Sequence, residues 1–216
     1  MVQKYLDNKK ILHINANKPD KSDIRKAVLI LEKGGVIAIP TDTVYGFGAC
    51  AYNEKAVQRI FKIKNRSNSK SMVLILNNIK DIKKFAKDIS ENAKQLMKKK
   101  WPGPLTLILR AKKNTPKYLV SDSGNIGVRI PNYSIPLKII EMLRCPLVLT
   151  SANMSDKPSL INAKVIAKKF GDVLDLIIDS GVSPIKVEST VVDTTVNPPK
   201  ILRYGAAKID LVRLHR

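Results

Sequence analysis

The segment FKIKNRSNSKSMVLIL, residues 61–76, concentrates basic side chains between a helix pattern and a wholly apolar run. Its basic residues are Lys62, Lys64, Arg66 and Lys70. Val57, Ile60 and Phe61 form the stripe of a helix that must face the core, and the next position of that stripe falls on Lys64. One interpretation is a lysine whose stem packs on the core while its head reaches solvent. The other is a phosphate site, because lysine offers a point charge and Arg66 a planar fork that grips two oxygens.

Two apolar strand patterns each end in small polar groups. VIAIP precedes TDTVYGFG (residues 41–48), and PLVLT precedes SANMS (residues 151–155). Ligands of open α/β sheets bind at the carboxyl ends of strands. Thr41 and Ser151 could instead cap helices, and a tight turn would also explain the two glycines of the first loop. Two such loops together with an inward-facing lysine favour a ligand site.

The elements that must position these residues alternate between helical and strand periodicity. Strands are predicted at 36–40, 72–76, 105–109, 126–130, 146–150, 174–178, 189–193 and 200–203. Helices are predicted from a cap at Ser22 to Gly34, from Glu54 to Lys64 behind Asn53, and over 90–100, 136–143 and 163–170. The last strands follow one another without helices, so the sequence predicts an α/β fold with a mixed sheet.

The composition of the 216-residue chain fits one globular domain with a sizeable core, since 44% of its residues are hydrophobic. Its 39 basic and 18 acidic residues give a net charge of +21, which favours RNA, DNA or phosphorylated substrates as partners. Cys50 and Cys145 are far apart and lack metal-site spacing, so neither a disulfide framework nor a zinc site is indicated. A reducing cytoplasm is therefore the expected location. We expect no membrane insertion, because no apolar run approaches the roughly 20 residues that span a bilayer.

Seven short segments occur in an order typical of a known family. They are IPTDTVYGFG, KNR, WPGPLT, VRIP, TSANMS, ESTVVD and ILRYG. With them, the chain resembles the YrdC-like family of L-threonylcarbamoyladenylate synthases from about Ser22 to Gly205. The resemblance implies a twisted, open mixed sheet with flanking helices and a large concave basic face. It places a YrdC-like domain at 21–206, an N-terminal extension at 1–20 and a short tail at 207–216.

The resemblance also implies a reaction. L-threonine, bicarbonate or CO2, and ATP give threonylcarbamoyl-AMP and pyrophosphate, the first step in the N6-threonylcarbamoyladenosine modification of ANN-decoding tRNAs. ATP is a substrate that carries its own Mg2+, and no metal held by the protein is expected. Implied partners are downstream threonylcarbamoyl transferase proteins, and the basic face could bind tRNA or double-stranded RNA.

Residue roles follow from the family motif, K-x-R together with S-x-N. The implied catalytic residues are Lys64, Arg66, Ser151 and Asn153. The implied threonine contacts are Thr41, Arg129, Ser151 and Ser189, and the implied ATP contacts are Lys64, Asn68, Asn125, Leu149 through its backbone, Ser159 and Arg203. Without the family, an ordinary ion pair would explain Arg129 and a surface charge would explain Arg203.

Two residues depart from the family pattern, and two other functions stay open. Ser67 replaces the proline that usually follows K-x-R, and Asp156 replaces the glycine that usually ends S-A-N-x-S-G. One alternative is an RNA-binding module for tRNA or ribosome maturation without catalysis. The other is a carbamoyl-adenylate relative of hydrogenase maturation, a role normally found within a much longer chain. ATP turnover that requires threonine would distinguish the synthase from the RNA-binding module.

Overall fold

The computed structural model describes residues 10–65, 72–155 and 157–211. The strands of these residues are β1 (Ile11–His13), β2 (Ile37–Ile39), β3 (Gly46–Cys50), β4 (Val73–Ile75), β5 (Ala86–Lys87), β6 (Leu105–Ala111), β7 (Asn125–Arg129), β8 (Leu147–Ser151), β9 (Leu176–Asp179), β10 (Thr190–Asp193) and β11 (Lys200–Arg203). The helices are α1 (Lys21–Glu32), α2 (Glu54–Lys64), α3 (Ile82–Phe85), α4 (Glu91–Lys100), α5 (Ser134–Leu143) and α6 (Ala163–Phe170).

The strands form one open, mixed sheet. Their order is β1-β9-β2-β3-β8-β4-β7-β6-β10-β11, and β5 pairs with β6 beside this path. β9 runs parallel to both β1 and β2, and the pairs β4–β7 and β6–β10 are also parallel. The remaining neighbours are antiparallel. The prediction of a mixed α/β sheet with flanking helices is therefore confirmed.

The helices pack on the two faces of the sheet in separate cores. On one face, α1 and α5 bury their apolar stripes against β2, β8 and β9, with Ile24, Leu31 and Ile139 at 1% exposure or less. On the other face, α2, α4 and α6 pack against residues such as Phe47 and Leu107. A cavity lies on the α1–α5 face, over the strands from β8 to β10. None of the helices in the described parts of the chain has the length and apolar character needed to cross a membrane.

Local capping explains where the first two helices begin and end. The Asn53 side chain accepts a hydrogen bond from the Ala56 N–H and starts α2 where the sequence predicted. The last residue of α2 is followed by Asn65, whose left-handed backbone (φ 48°) ends the helix. The prediction that Ser22 caps α1 is wrong. Asp20 is the cap, because it directly precedes the first helical residue and its carboxylate accepts the N–H of Ser22, which lies inside the helix.

The loop predicted at 41–48 is shorter than expected, because Gly46 begins β3. Strand β3 pairs with β2 and β8, and its glycines allow the close approach of Leu149. A Cβ added at Gly48 would lie 2.8 Å from the Leu149 Cδ2 atom and 2.9 Å from the Ile39 Cδ1 atom. Glycine is needed at position 48 for packing within the sheet, and not for a turn.

The expectation that the two cysteines are unpaired is wrong. Cys50 ends β3 and Cys145 precedes β8, and these antiparallel neighbours bring the two Cα atoms to 6.3 Å, where the sulfurs form a disulfide. The 95 residues between them in the sequence hid this proximity. The segment 1–20, predicted as an extension, also contributes strand β1, which pairs in parallel with β9.

Candidate active site

A cavity of about 250 Å³ lies over the sheet face formed by β8, β4, β7, β6 and β10. Six of the residues that the resemblance assigned to substrates line it: Thr41, Arg129, Leu149, Ser151, Ser189 and Arg203. They come from five separate segments of the chain. The sheet register brings them together, because odd-numbered residues of β8 and β7 share this face with β4. The structure thus places the predicted threonine contacts around one space.

The hydroxyl of Thr41 is held in a fixed direction. Its Oγ1 atom donates to the Val44 carbonyl at 2.7 Å and accepts from the Thr43 N–H at 3.2 Å. Thr43 Oγ1 lies 3.0 Å from Thr41 Oγ1 and accepts from Arg129 Nη1 at 2.9 Å. Since the proton of the Thr41 hydroxyl is used by Val44, this oxygen can offer only an acceptor to a molecule in the cavity.

Arg129 forms a buried ion pair, so the ordinary ion-pair interpretation describes its contacts. Nη2 donates to Asp42 Oδ1 at 2.5 Å and Nε donates to the Gly103 carbonyl at 3.0 Å. The two side chains are 7% and 5% exposed. Burial lowers the pKa of Arg129 from its ordinary value, the charge of Arg203 acts in the same direction, and Asp42 opposes both. Asp42 Oδ2 is buried and has no hydrogen-bond partner among the described residues.

Lys64 is buried at 1% exposure, so the interpretation of a solvated lysine head is wrong. Its Nζ donates to the Ser151 carbonyl, to the Asn153 carbonyl at 2.8 Å and to Asn153 Oδ1 at 2.5 Å. The backbone also links the end of α2 to this loop, since the Ser155 N–H donates to the Lys64 carbonyl at 3.2 Å. Lys64 therefore joins the end of α2 to the S-x-N loop, and a contact with phosphate requires exchange of at least one of these bonds.

Ser151 and Asn153 also bond to each other within this loop. Ser151 Oγ donates to Asn153 Oδ1 at 2.9 Å, and Asn153 Nδ2 donates to the Lys157 carbonyl. The lysine of K-x-R and both residues of S-x-N are thus brought together beside the cavity. Arg66, Ser67, Asn68 and Asp156 lie outside the described residues.

On the β10 and β11 side of the cavity, Arg203 holds Ser189. The guanidinium donates to the Ser189 carbonyl from Nε at 3.1 Å and from Nη2 at 2.9 Å, and Nη2 lies 3.2 Å from Ser189 Oγ. Ser189 Oγ is 2.9 Å from Thr106 Oγ1, which also lines the cavity. Nη1 of Arg203 donates to Glu188 Oε2, and the Ser159 hydroxyl donates to Glu188 Oε1.

Two of the predicted ATP residues, Asn125 and Ser159, lie outside the cavity lining. Asn125 begins β7 on the same face as Gly127 and Arg129, but it lies outside the cavity lining and donates to Ser123 Oγ at 3.2 Å. Leu149, predicted to act through its backbone, contributes to the lining between β3 and β4.

Sequence reasoning missed three residues that the site uses: Thr43, Thr106 and Glu188. Each lies inside a segment already recognised, namely TDT, WPGPLT and ESTVVD. Strand alternation could have placed Thr106, since its neighbours Leu105 and Leu107 are core residues that point to the other face. Nothing in the local sequence signals the contacts of Glu188, which join residues 15 and 29 positions away.

The family model for Sua5, YciO and YrdC proteins, described as telomere recombination, matches residues 29–205. The chain belongs to the Sua5/YciO/YrdC family. Relatives named threonylcarbamoyl-AMP synthase are 40% identical over 187 residues in Pyrococcus abyssi, 35% over 184 residues in Bacillus subtilis and 33% over 175 residues in Psychromonas ingrahamii. These matches cover 87%, 84% and 79% of this chain, and 55%, 53% and 92% of the respective relatives. This family member thus spans about half the length of the first two.

Two solved structures share the fold of this Sua5/YciO/YrdC chain. P. abyssi Sua5 complexed with L-threonine matches with a TM-score of 0.86 and 38% identity, over 90% of this chain and 57% of that one. Escherichia coli YciO matches with a TM-score of 0.87 and 27% identity, over 94% of this chain and 99% of that one. The likeness extends over nearly the whole sheet that carries the cavity.

Proposed function

We propose that this chain makes threonylcarbamoyl-AMP and pyrophosphate from L-threonine, bicarbonate or CO2, and ATP. The observation that carries the proposal is the junction of Lys64 with Ser151 and Asn153 at the edge of the cavity. The relatives' shared name, threonylcarbamoyl-AMP synthase, and the structure of P. abyssi Sua5 with L-threonine support it. None of the relatives compared above bears a name that favours the RNA-binding alternative.

The size of the cavity favours an amino acid inside and a nucleotide at the rim. Its volume of about 250 Å³ is below the roughly 300–1,000 Å³ of pockets that enclose drug-sized ligands. Threonine fits that space, whereas ATP must extend over the edge toward Arg203 and Ser159. Hydroxyl groups of Thr41, Ser151 and Ser189 surround the amino-acid position, and we assign them to threonine.

The proposed chemistry joins two substrates at a phosphorus atom. The neutral threonine amine adds to CO2 and loses a proton to solvent, which gives a carbamate, and a carbamate oxygen attacks the α-phosphorus of ATP. The bond from that phosphorus to the bridging oxygen breaks, and the electron pair leaves with pyrophosphate. Negative charge spreads over the phosphate oxygens, so positioned cations such as Lys64, Arg66 and Arg203 are what the step requires.

Mg2+ would arrive with ATP, and the chemistry it would supply is neutralisation of the charge on the leaving pyrophosphate. Across 10–65, 72–155 and 157–211, no group of three or more His, Cys, Asp or Glu side chains could hold a metal ion. Lys64 has a second role in this scheme. By holding the Ser151 and Asn153 carbonyls, its ammonium keeps the S-x-N loop at the cavity edge, where Ser151 can contact the carbamate.

The experiment that tests the function is pyrophosphate release by the purified protein with ATP, Mg2+ and bicarbonate. L-threonine is compared with L-serine and with no amino acid. We expect release that depends on L-threonine and disappears in Ser151→Ala. Release that is independent of the amino acid, or no release by a folded protein, would contradict the proposal. We also propose that partner proteins transfer the product to tRNA. The proposed location of the protein is the cytoplasm.

A further inference from the structure

Glu188 connects two residues assigned to ATP, although no motif gave it a role of its own. Its Oε1 accepts from the Ser159 hydroxyl and its Oε2 accepts from Nη1 of Arg203. Ser159 lies in the segment after β8 and Arg203 ends β11, so the carboxylate joins a residue of the cavity lining, Arg203, to one outside it, Ser159. Among the described residues that line the cavity, Glu188 is the one carboxylate.

This bridge can open without movement of the arginine. Nε and Nη2 of Arg203 are held by Ser189, and only Nη1 is directed at Glu188. The Glu188 carbonyl is fixed by the Ala206 N–H at 2.8 Å. Its side chain is 29% exposed, and the preceding residues 184–187 are all exposed. Rotation about the side-chain bonds of Glu188 is therefore enough to turn the carboxylate into solvent.

We propose that Glu188 sets the affinity for the nucleotide by competing with it for Arg203 and Ser159. A carboxylate that accepts one bond from a hydroxyl and one from a guanidinium presents the same pair of anionic oxygens as a phosphate. When ATP binds, phosphate oxygens replace those of Glu188, and the displaced carboxylate turns outward because like charges repel at this distance. The inference rests on the proposed function, which assigns Ser159 and Arg203 to ATP.

The exchange leaves the threonine side of the site in place. Arg203 keeps its bonds to Ser189 during the exchange, and Ser189 Oγ stays 2.9 Å from Thr106 Oγ1. The arginine therefore reaches phosphate while it still orients a hydroxyl on the threonine side. Only the Glu188 side chain changes place, so the exchange alters ATP affinity and leaves threonine affinity unchanged.

The test is the Kd of ATP, measured by calorimetry without threonine for the wild type, Glu188→Gln and Glu188→Ala. Glutamine keeps the size of the side chain and removes its charge. Glu91→Gln is the matched control, because it makes the same change of charge on α4, where the Glu91 side chain is 78% exposed. We expect both Glu188 variants to bind ATP about five- to tenfold more tightly, and the control to bind as the wild type does.

Three outcomes would overturn the inference. An unchanged or weaker ATP affinity in both Glu188 variants would mean that the carboxylate does not compete with phosphate. An equal gain in Glu91→Gln would assign the effect to net charge alone. No ATP binding by any of the proteins would overturn the proposed function and the exchange with it, whereas the first two outcomes leave the proposed function intact.

Discussion

Removing one partner of the buried pair of Asp42 and Arg129 should strongly destabilise the fold, and Asp42→Asn tests this. The two side chains are 5% and 7% exposed, so removing the charge of Asp42 leaves an arginine uncompensated in the interior. Breaking such a pair costs about 3–5 kcal/mol. For a chain of this size, each kcal/mol corresponds to roughly 2–4 °C in Tm. We therefore expect Tm to fall by about 6–20 °C, and the urea midpoint to fall without a change in m.

Two further variants separate the charge from other effects of the substitution. Glu91→Gln breaks a pair whose acid is 78% and base 57% exposed, and it should cost less than about 1 kcal/mol. The double variant Asp42→Asn/Arg129→Met removes both charges and should be more stable than Asp42→Asn alone. A loss below about 1 kcal/mol in Asp42→Asn, or a double variant no more stable than the single one, would refute the reasoning.

Three other perturbations test further parts of the structure. Lys64→Met should lower the free energy of unfolding by about 2–4 kcal/mol, measured in urea, and abolish turnover, because buried acceptors of the S-x-N loop lose their donor. Cys50→Ala/Cys145→Ala should lower it by about 4–5 kcal/mol, because the disulfide closes a long loop. Burial raises the pKa of Tyr45, so its neutral form stabilises the fold below about pH 10 and this contribution is lost as pH rises further. Tyr45→Phe should have a lower Tm than the wild type at pH 8. The difference between the two Tm values should be smaller at about pH 10.5.

Each of these expectations has a control. Lys62→Met changes an exposed lysine of the same helix and should leave stability and turnover unchanged. A reducing agent should lower Tm of the wild type but not of the double cysteine variant, and free thiols titrated in the untreated wild type would contradict the disulfide. Tyr204→Phe changes a tyrosine that is 84% exposed, and its Tm should follow that of the wild type across the pH range. An equal response of the two tyrosine variants would contradict the role of burial.

The elements fixed by local physics could be predicted from the sequence. Helix α2 begins behind Asn53 and ends at Lys64 because the cap, the apolar stripe and the left-handed stop at Asn65 all lie within the helix or directly beside it. The same stripe placed Lys64 on the core side, where the structure has it. The mixed sheet followed from the order of apolar runs. The family motifs then named six of the residues that line the cavity.

The remaining features depend on contacts between distant segments. The disulfide joins residues 95 positions apart, and the ion pair of Arg129 joins it to Asp42, 87 positions away. Neither partner carries a local signal of the other, because strand order and register decide which residues meet. Glu188 escaped notice for the same reason. Its two bonds join it to residues 15 and 29 positions away, and its own segment was recognised for the serine that follows it.

The central claim, that the cavity assembles threonine, CO2 and ATP into one adenylate, is tested most directly by detecting that product. The protein is incubated with ATP, Mg2+, L-threonine and 13C-bicarbonate, and the nucleotides are analysed by mass spectrometry. We predict a threonylcarbamoyl-AMP species that carries the 13C mass shift, needs L-threonine and is absent in Ser151→Ala. AMP or ADP formation without this species, by a protein that binds ATP, would contradict the account.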